Sequence, residues 1–317
     1  MNKKNTLLKI MVCVVVSVAP IKSWGGVTNS DFTGPGSDLK SAAQQQAEAT
    51  KGISNPAFGL ANAVNLVSAL SSSMGSHKKG LQFKSPIFSP AFSFRTQSDD
   101  SPGGFDGDEY TGELGLDADV YDGLIAGLIY QHSARSARNN IGTKESLDSD
   151  GFSLYFGKRF FDLLNTGLAY HYANTEHQLT GAAAANLDRD SNGFSLLAGI
   201  SDKKGKWSWS STTSFSFIHD GYDKQTDLET GRFGWGGGLG YDASKHLTVG
   251  AAFTYYNFIF QDTFPNSVVS DNDYWTLGPR FQYFPYDDVT VYLDFDSQQG
   301  YVDYSAYTVR VGANIAF

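Results

Sequence analysis

Histidines beside hydroxyls and carboxylates are the side chains of this chain best suited to proton chemistry. His171 opens the run His171-Tyr172-Ala173-Asn174. The run places no serine or threonine beside the histidine, and acyl transfer requires a nucleophile. His132 and Ser133 are sequence neighbours, so in a regular strand they point to opposite faces and cannot pair. His219-Asp220 could activate a water only with further acids across a rim, and acids are scattered through the polar segments of this chain. The cluster Asp99, Asp100, Asp106, Asp108 and Glu109 offers hard oxygens but lacks the spacing of a calcium loop. No pattern here specifies an active site, so no enzyme activity, no cofactor and no resident metal are expected.

The elements carrying these residues are strands. From about residue 88, stretches of roughly ten residues alternate apolar with small or polar, as strands with one apolar face do. The last stretch is plainest. Tyr307, Val309, Val311, Ala313, Ile315 and Phe317 share one face, and Thr308, Arg310, Gly312 and Asn314 the other. Val289, Val291, Leu293 and Phe295 likewise oppose Thr290, Tyr292, Asp294 and Asp296, and Leu114 and Leu116 oppose Glu113 and Asp117. Twelve such segments are centred near residues 93, 115, 128, 155, 169, 197, 212, 237, 251, 279, 292 and 311. Short connections (Tyr121-Asp122-Gly123, Asp202-Lys203-Lys204-Gly205, Asp242-Ala243-Ser244-Lys245, Pro285-Tyr286-Asp287-Asp288) alternate with long polar ones near 98–109, 134–149, 175–192, 219–231, 261–273 and 297–303. An even strand count with turns of alternating length is the pattern of a transmembrane antiparallel β-barrel.

A soluble β-sandwich also alternates, but its buried faces favour aliphatic residues over tryptophan. Here Trp207, Trp235, Tyr241, Trp275, Tyr283, Tyr307 and Phe317 gather at segment ends, the place of aromatic girdles at membrane interfaces. The polar faces then line the lumen. Glu113, Asp117, Asp119, Asp294 and Asp296 are expected there against Arg95, Arg159, Arg280 and Arg310. Such mixed charges could bias ions in a pore or pair internally in an occluded barrel.

The N-terminus indicates export. Lys3, Lys4 and Lys9 precede an apolar run from Ile10 to Ala19, with the layout of a secretory signal peptide over residues 1–25 and too short to span a bilayer as a helix. Cys13, the one cysteine, lies inside that run. Removing residues 1–25 takes away four lysines and no acids, lowering the net charge from −9 to −13. An acidic chain without a basic stripe argues against nucleic acid as partner. No later stretch approaches 18 apolar residues, which excludes a helical membrane protein.

Residues 26–87 form a different segment. Ser37 can cap a helix running to Thr50, and Asn55-Pro56 a second running to Gly75. The second is rich in Ala, Asn and Ser, with a weak stripe through Leu60, Val64 and Val67. It is either loosely held or lies inside the barrel. Gly234, Gly236, Gly238 and Gly240 share the inward face of one strand. That lane either admits a second backbone or accommodates sharp curvature.

The units Asp122-Gly123-Leu124-Ile125-Ala126-Gly127-Leu128-Ile129-Tyr130, Ser149-Asp150-Gly151-Phe152-Ser153-Leu154-Tyr155-Phe156-Gly157, and Ser191-Asn192-Gly193-Phe194-Ser195-Leu196-Leu197-Ala198-Gly199, with the ending Val309–Phe317, resemble the translocator β-barrel domain of autotransporters, the type V secretion systems. The likeness covers about residues 90–317. It implies a twelve-stranded barrel in the Gram-negative outer membrane, set among its lipids and lipopolysaccharide. It also implies insertion by the barrel assembly machinery, with periplasmic chaperones, and Tyr307, Val309, Val311, Ile315 and Phe317 as the assembly signal. A helix through the pore and an upstream passenger are implied as well, although only about 60 residues lie between the signal peptide and the barrel. Two alternatives stand beside this reading. One is a porin-like channel for small solutes. The other is an outer-membrane hydrolase, since His171–Asn174 resembles the His-x-Ser-Asn arrangement of outer-membrane lipid hydrolases apart from Ala173, and His219-Asp220 resembles the rim acids and histidine of omptin proteases.

Overall fold

The computed structural model describes residues 87–316, except for the connecting segments 100–104, 122–123, 140–141, 161–163, 182–184, 187, 223–226, 262–272, 287–288 and 300–303. The signal peptide, the expected helices within 26–87 and Phe317 lie outside the described residues.

Thirteen strands follow in order: β1 (Ile87–Asp99), β2 (Phe105–Tyr121), β3 (Leu124–Asn139), β4 (Lys144–Phe160), β5 (Leu164–Thr180), β6 (Ala185–Asn186), β7 (Arg189–Lys204), β8 (Trp207–Tyr222), β9 (Leu228–Ser244), β10 (Leu247–Gln261), β11 (Asp273–Tyr286), β12 (Val289–Gln299) and β13 (Tyr304–Ala316). Twelve of them form the wall, each antiparallel to its sequence neighbour; β6 is a two-residue rung on the end of β5. β1 and β13 pair from Ile87↔Ala316 to Asp99↔Tyr304, which closes the barrel and leaves no free edge in the wall.

The expected faces hold. Leu114, Leu116, Leu128, Leu154, Leu168, Leu196, Leu277, Leu293, Val309 and Val311 are exposed on the outside, while Glu113, Gln131, Ser153, His171, Ser195 and Ser216 are buried on the inside. An apolar exterior around a polar interior inverts a soluble protein and suits a wall solvated by lipid. Aromatic pairs mark the two rims of this band. Trp207 and Tyr241 lie 4.9 Å apart near the short turns, and Phe152–Tyr172 and Phe194–Phe217 lie 5.5 and 5.6 Å apart toward the other end.

The long polar connections are shorter than the sequence indicates, because the ladders run on through them. β3 and β4 stay in register from Leu124↔Lys158 to Arg138↔Lys144, across most of the stretch read as a loop at 134–149. A 17-residue strand such as β4, tilted about 40°, rises roughly 43 Å against an apolar band of about 25 Å. Beyond the band both faces are wet, so hydropathy no longer alternates and the strand is invisible to a pattern that needs one greasy face. The β3–β4 hairpin ends where the side chain of Asn139 accepts a 2.8 Å bond from the Thr143 amide and Gly142 adopts φ 87°, a left-handed conformation that glycine tolerates best.

The glycine lane on β9 has a local cause. A Cβ on Gly236 would lie 2.6 Å from the Phe253 carbonyl and 2.8 Å from the Thr254 hydroxyl on β10. The close neighbours belong to the adjoining strand, so a side chain at this position would collide with the wall itself. Gly236→Val is therefore expected to reduce the folded fraction sharply, read as loss of the heat-modifiable band on electrophoresis. Gly112→Val, where a Cβ meets nothing within 4 Å, should fold like the parent.

Candidate functional site

The lumen carries the chain's concentrated polar chemistry. Near the β1–β13 closure the inward charges are paired. Arg310 on β13 donates to Glu113 on β2, reaching across β1, and its guanidinium sits 5.3 Å from the Tyr292 ring. Arg280 on β11 reaches Asp296 at 2.6 Å and Asp294 at 3.6 Å, both on β12. Arg95 donates to Gln298 at 3.0 Å. Asp117 accepts a 2.6 Å bond from the Tyr155 hydroxyl, which Ile125 and Ala169 bury. Arg310 thus pairs with Glu113, and Arg280 with Asp294 and Asp296, whereas Asp117 takes a neutral hydroxyl as its partner. Asp119 and Arg159 occupy the ends of β2 and β4, where their side chains lie outside the described residues.

A second charged group sits above the lipid band. Glu145 on β4 faces Arg135 on β3 at 3.0 Å and His177 on β5 at 3.0 Å, all three nearly sealed from solvent. Arg189 on β7 lies 3.8 Å from Asp220 on β8 and donates to the Tyr222 hydroxyl at 3.3 Å. Arg232 on β9 donates to the Tyr274 hydroxyl at 2.7 Å and stacks 4.9 Å from the Tyr256 ring. Arg135, Glu145, His177, Arg189, Asp220 and Tyr222 fall in stretches whose pattern reads as loops. Extending the inward parity of Ser133 to Arg135 would find the first of them.

Between the two groups runs a chain of hydroxyls. Ser153 lies 2.8 Å from His171 Nδ1, Ser195 lies 3.0 Å from Nε2, and Ser216 lies 2.9 Å from Ser195. The hydroxyl that Ala173 lacks is therefore supplied from neighbouring strands. Both ring nitrogens are occupied by hydroxyls, and Ser195 and Ser153 are buried. The arrangement ties β4, β5, β7 and β8 together across the wall. It does not provide the carboxylate that orients the base in a hydrolytic triad.

The remaining candidates separate. His132 is exposed on the outside and Ser133 buried on the inside. His219 points outward, 3.9 Å from Asp227 and 3.8 Å from Glu229, whereas Asp220 points inward, so they form no dyad. Of the acidic cluster, Asp106 and Asp108 are exposed and Glu109 is buried in the lumen, which puts these three on two faces; Asp100 and the Asp99 side chain lie outside the described residues.

No family model matches the chain, and no curated protein matches it. Among solved structures the chain is similar to the translocator domain of the autotransporter NalP from Neisseria meningitidis, with TM-score 0.59 and 12% identity over 83% of this chain and 99% of that one. It is similar to the transport unit of the autotransporter AIDA-I from Escherichia coli, with TM-score 0.55 and 10% identity over 79% and 98% of the two chains. An outer membrane channel from Pseudomonas putida F1 matches with TM-score 0.56 and 11% identity over 75% and 97%. At these identities what is shared is the fold, a closed outer-membrane β-barrel.

Proposed function

We propose that this chain works in the Gram-negative outer membrane as an autotransporter-type barrel, a surface or secretion component whose lumen is filled by the segment preceding β1. One observation carries the reading: the lumen has two unlike walls. Inward positions from Ser208 to Ser216 on β8, Gly234 to Gly240 on β9 and Thr248 to Thr254 on β10 hold no charge and nothing larger than threonine. Six strands away around the ring, β1 to β3 carry Arg95, Glu113 and Gln131 inward.

Twelve strands about 4.8 Å apart and tilted about 40° enclose roughly 24 Å between opposite backbones. A layer of long side chains on one wall and of serines on the other leaves roughly 14 Å, and a helix needs about 10–12 Å. Residues 55–75, rich in Ala, Ser and Asn, suit a polar chamber. Lipid and lipopolysaccharide surround the apolar band in this reading. The assembly machinery and periplasmic chaperones handle the β13 row of Tyr307, Val309, Val311 and Ile315 together with Phe317.

Planar-bilayer recording tests it. The full chain should conduct little, and deletion of residues 26–80 should produce a steady open conductance. A full chain that already conducts steadily, with no rise on deletion, overturns the proposal in favour of an open pore for small solutes. Similarity to the Pseudomonas putida channel supports that second reading.

A further inference from the structure

On the outer surface of β3 and β4, just beyond the lipid-facing Tyr130 and Phe152, three ligating side chains converge. The Nδ1 atom of His132 lies 3.1 Å from Asp150 and 3.7 Å from Asp148, and one ligand atom from each of the three falls within 4.8 Å of the others. We propose that His132, Asp148 and Asp150 form a binding site for a divalent cation of the zinc class on the outer face of the barrel.

Four observations support it. Ligands about 2.0–2.1 Å from a tetrahedral zinc lie roughly 3.3 Å from one another, and the two nitrogen–oxygen separations bracket that value. The ladder enforces the arrangement, since His132 is the register partner of Asp150, and Asp148 is the next outward residue of the same strand. The Tyr130 hydroxyl donates to Asp150, an outer contact of the kind that orients ligating carboxylates. Gly112, the partner of His132 on β2, leaves the other flank open, for a Cβ there would meet nothing within 4 Å.

Charge points the same way. Glu176 on β5 is the register partner of Asp148 and exposed on the same face, so a third carboxylate adjoins the site. Three carboxylates gather around a single imidazole, and a divalent cation supplies two positive charges against them while taking the ring nitrogen as a ligand. The imidazole also selects the class of metal, because calcium and magnesium take oxygen ligands. Remaining coordination positions face outward, at the height where the apolar band gives way to headgroups. The three side chains lie on the outer face, apart from whatever the lumen holds.

The test uses untagged full chain folded in detergent micelles, dialysed against Zn2+ with excess Ca2+ present. A single Zn2+ should remain bound, and it should be lost in His132→Ala and in the double variant Asp148→Asn/Asp150→Asn. Tyr130→Phe should weaken binding on the order of 10–100-fold, the usual effect of removing an orienting partner. His219→Ala alters the looser grouping with Asp227 and Glu229 and should leave binding unchanged. The exposed substituted side chains keep the fold out of question, and heat-modifiable mobility checks it. Retention of Zn2+ by His132→Ala, its displacement by Ca2+, or equal loss in His219→Ala overturns the proposal.

Discussion

Replacing Glu145 with alanine should lower the unfolding free energy of the barrel by about 3–5 kcal/mol, the usual cost of breaking a buried ion pair from one side. The Glu145 side chain has no solvent exposure, and it stands between Arg135 and His177, each 3.0 Å away and each 2% exposed. Removing the carboxylate leaves a permanently charged guanidinium enclosed without its counter-charge. Its nitrogens have no hydrogen-bond partner among the described residues, so the ion pair with Glu145 is what compensates the charge. Urea unfolding in lipid vesicles, followed by tryptophan fluorescence, reads the loss. The double variant Arg135→Leu/Glu145→Met should regain most of it, because a buried ion pair replaced by apolar side chains of similar volume is often neutral. A Glu145→Ala midpoint no lower than that of the exposed Glu176→Ala would show that the three side chains are not sealed together.

Leu196→Arg should cost about 2–4 kcal/mol, as a charge on the lipid face does near the bilayer midplane, against about 0–1 near the interfaces. Leu196 is 49% exposed, and its outward row on β7 runs from Phe194 through Ala198 to Ile200. In water such a leucine could be replaced at little cost; in lipid the guanidinium must be desolvated or drag water inward. Ser136→Arg is the matched control. Ser136 also faces outward and exposed, but on the part of β3 above the band, and it should change the same unfolding curve by less than 1 kcal/mol or so. Equal effects at the two positions would mean that the apolar band is not where the outward rows place it.

Much of the architecture is legible in the amino-acid pattern. The row Tyr307, Val309, Val311 and the opposed Arg310 can be assigned to their faces by parity alone, and Arg310 lies inside against Glu113. The strand above the band is not legible. Ala134 to Asn139 reads as a polar loop, because Arg135 inside and Ser136 outside both meet polar surroundings. The His171 cluster escapes the pattern for another reason. Its hydroxyls come from Ser153 and Ser195, which lie 18 and 24 residues away in sequence and are brought to it by the β4–β5 and β5–β7 registers.

By itself the sequence determined how many strands cross and which side chain of each faces which solvent. A strand has a period of two, and a wall between lipid and a polar lumen writes that period into every crossing. Tertiary structure alone decided which inward groups meet. Arg310 and Glu113 are 197 residues apart and become neighbours only when β13 closes on β1. The ladders likewise bring His132 to Asp148 and Asp150, and Glu145 to Arg135 and His177. Register and closure depend on the hydrogen bonds of the whole ring, and no local pattern encodes them.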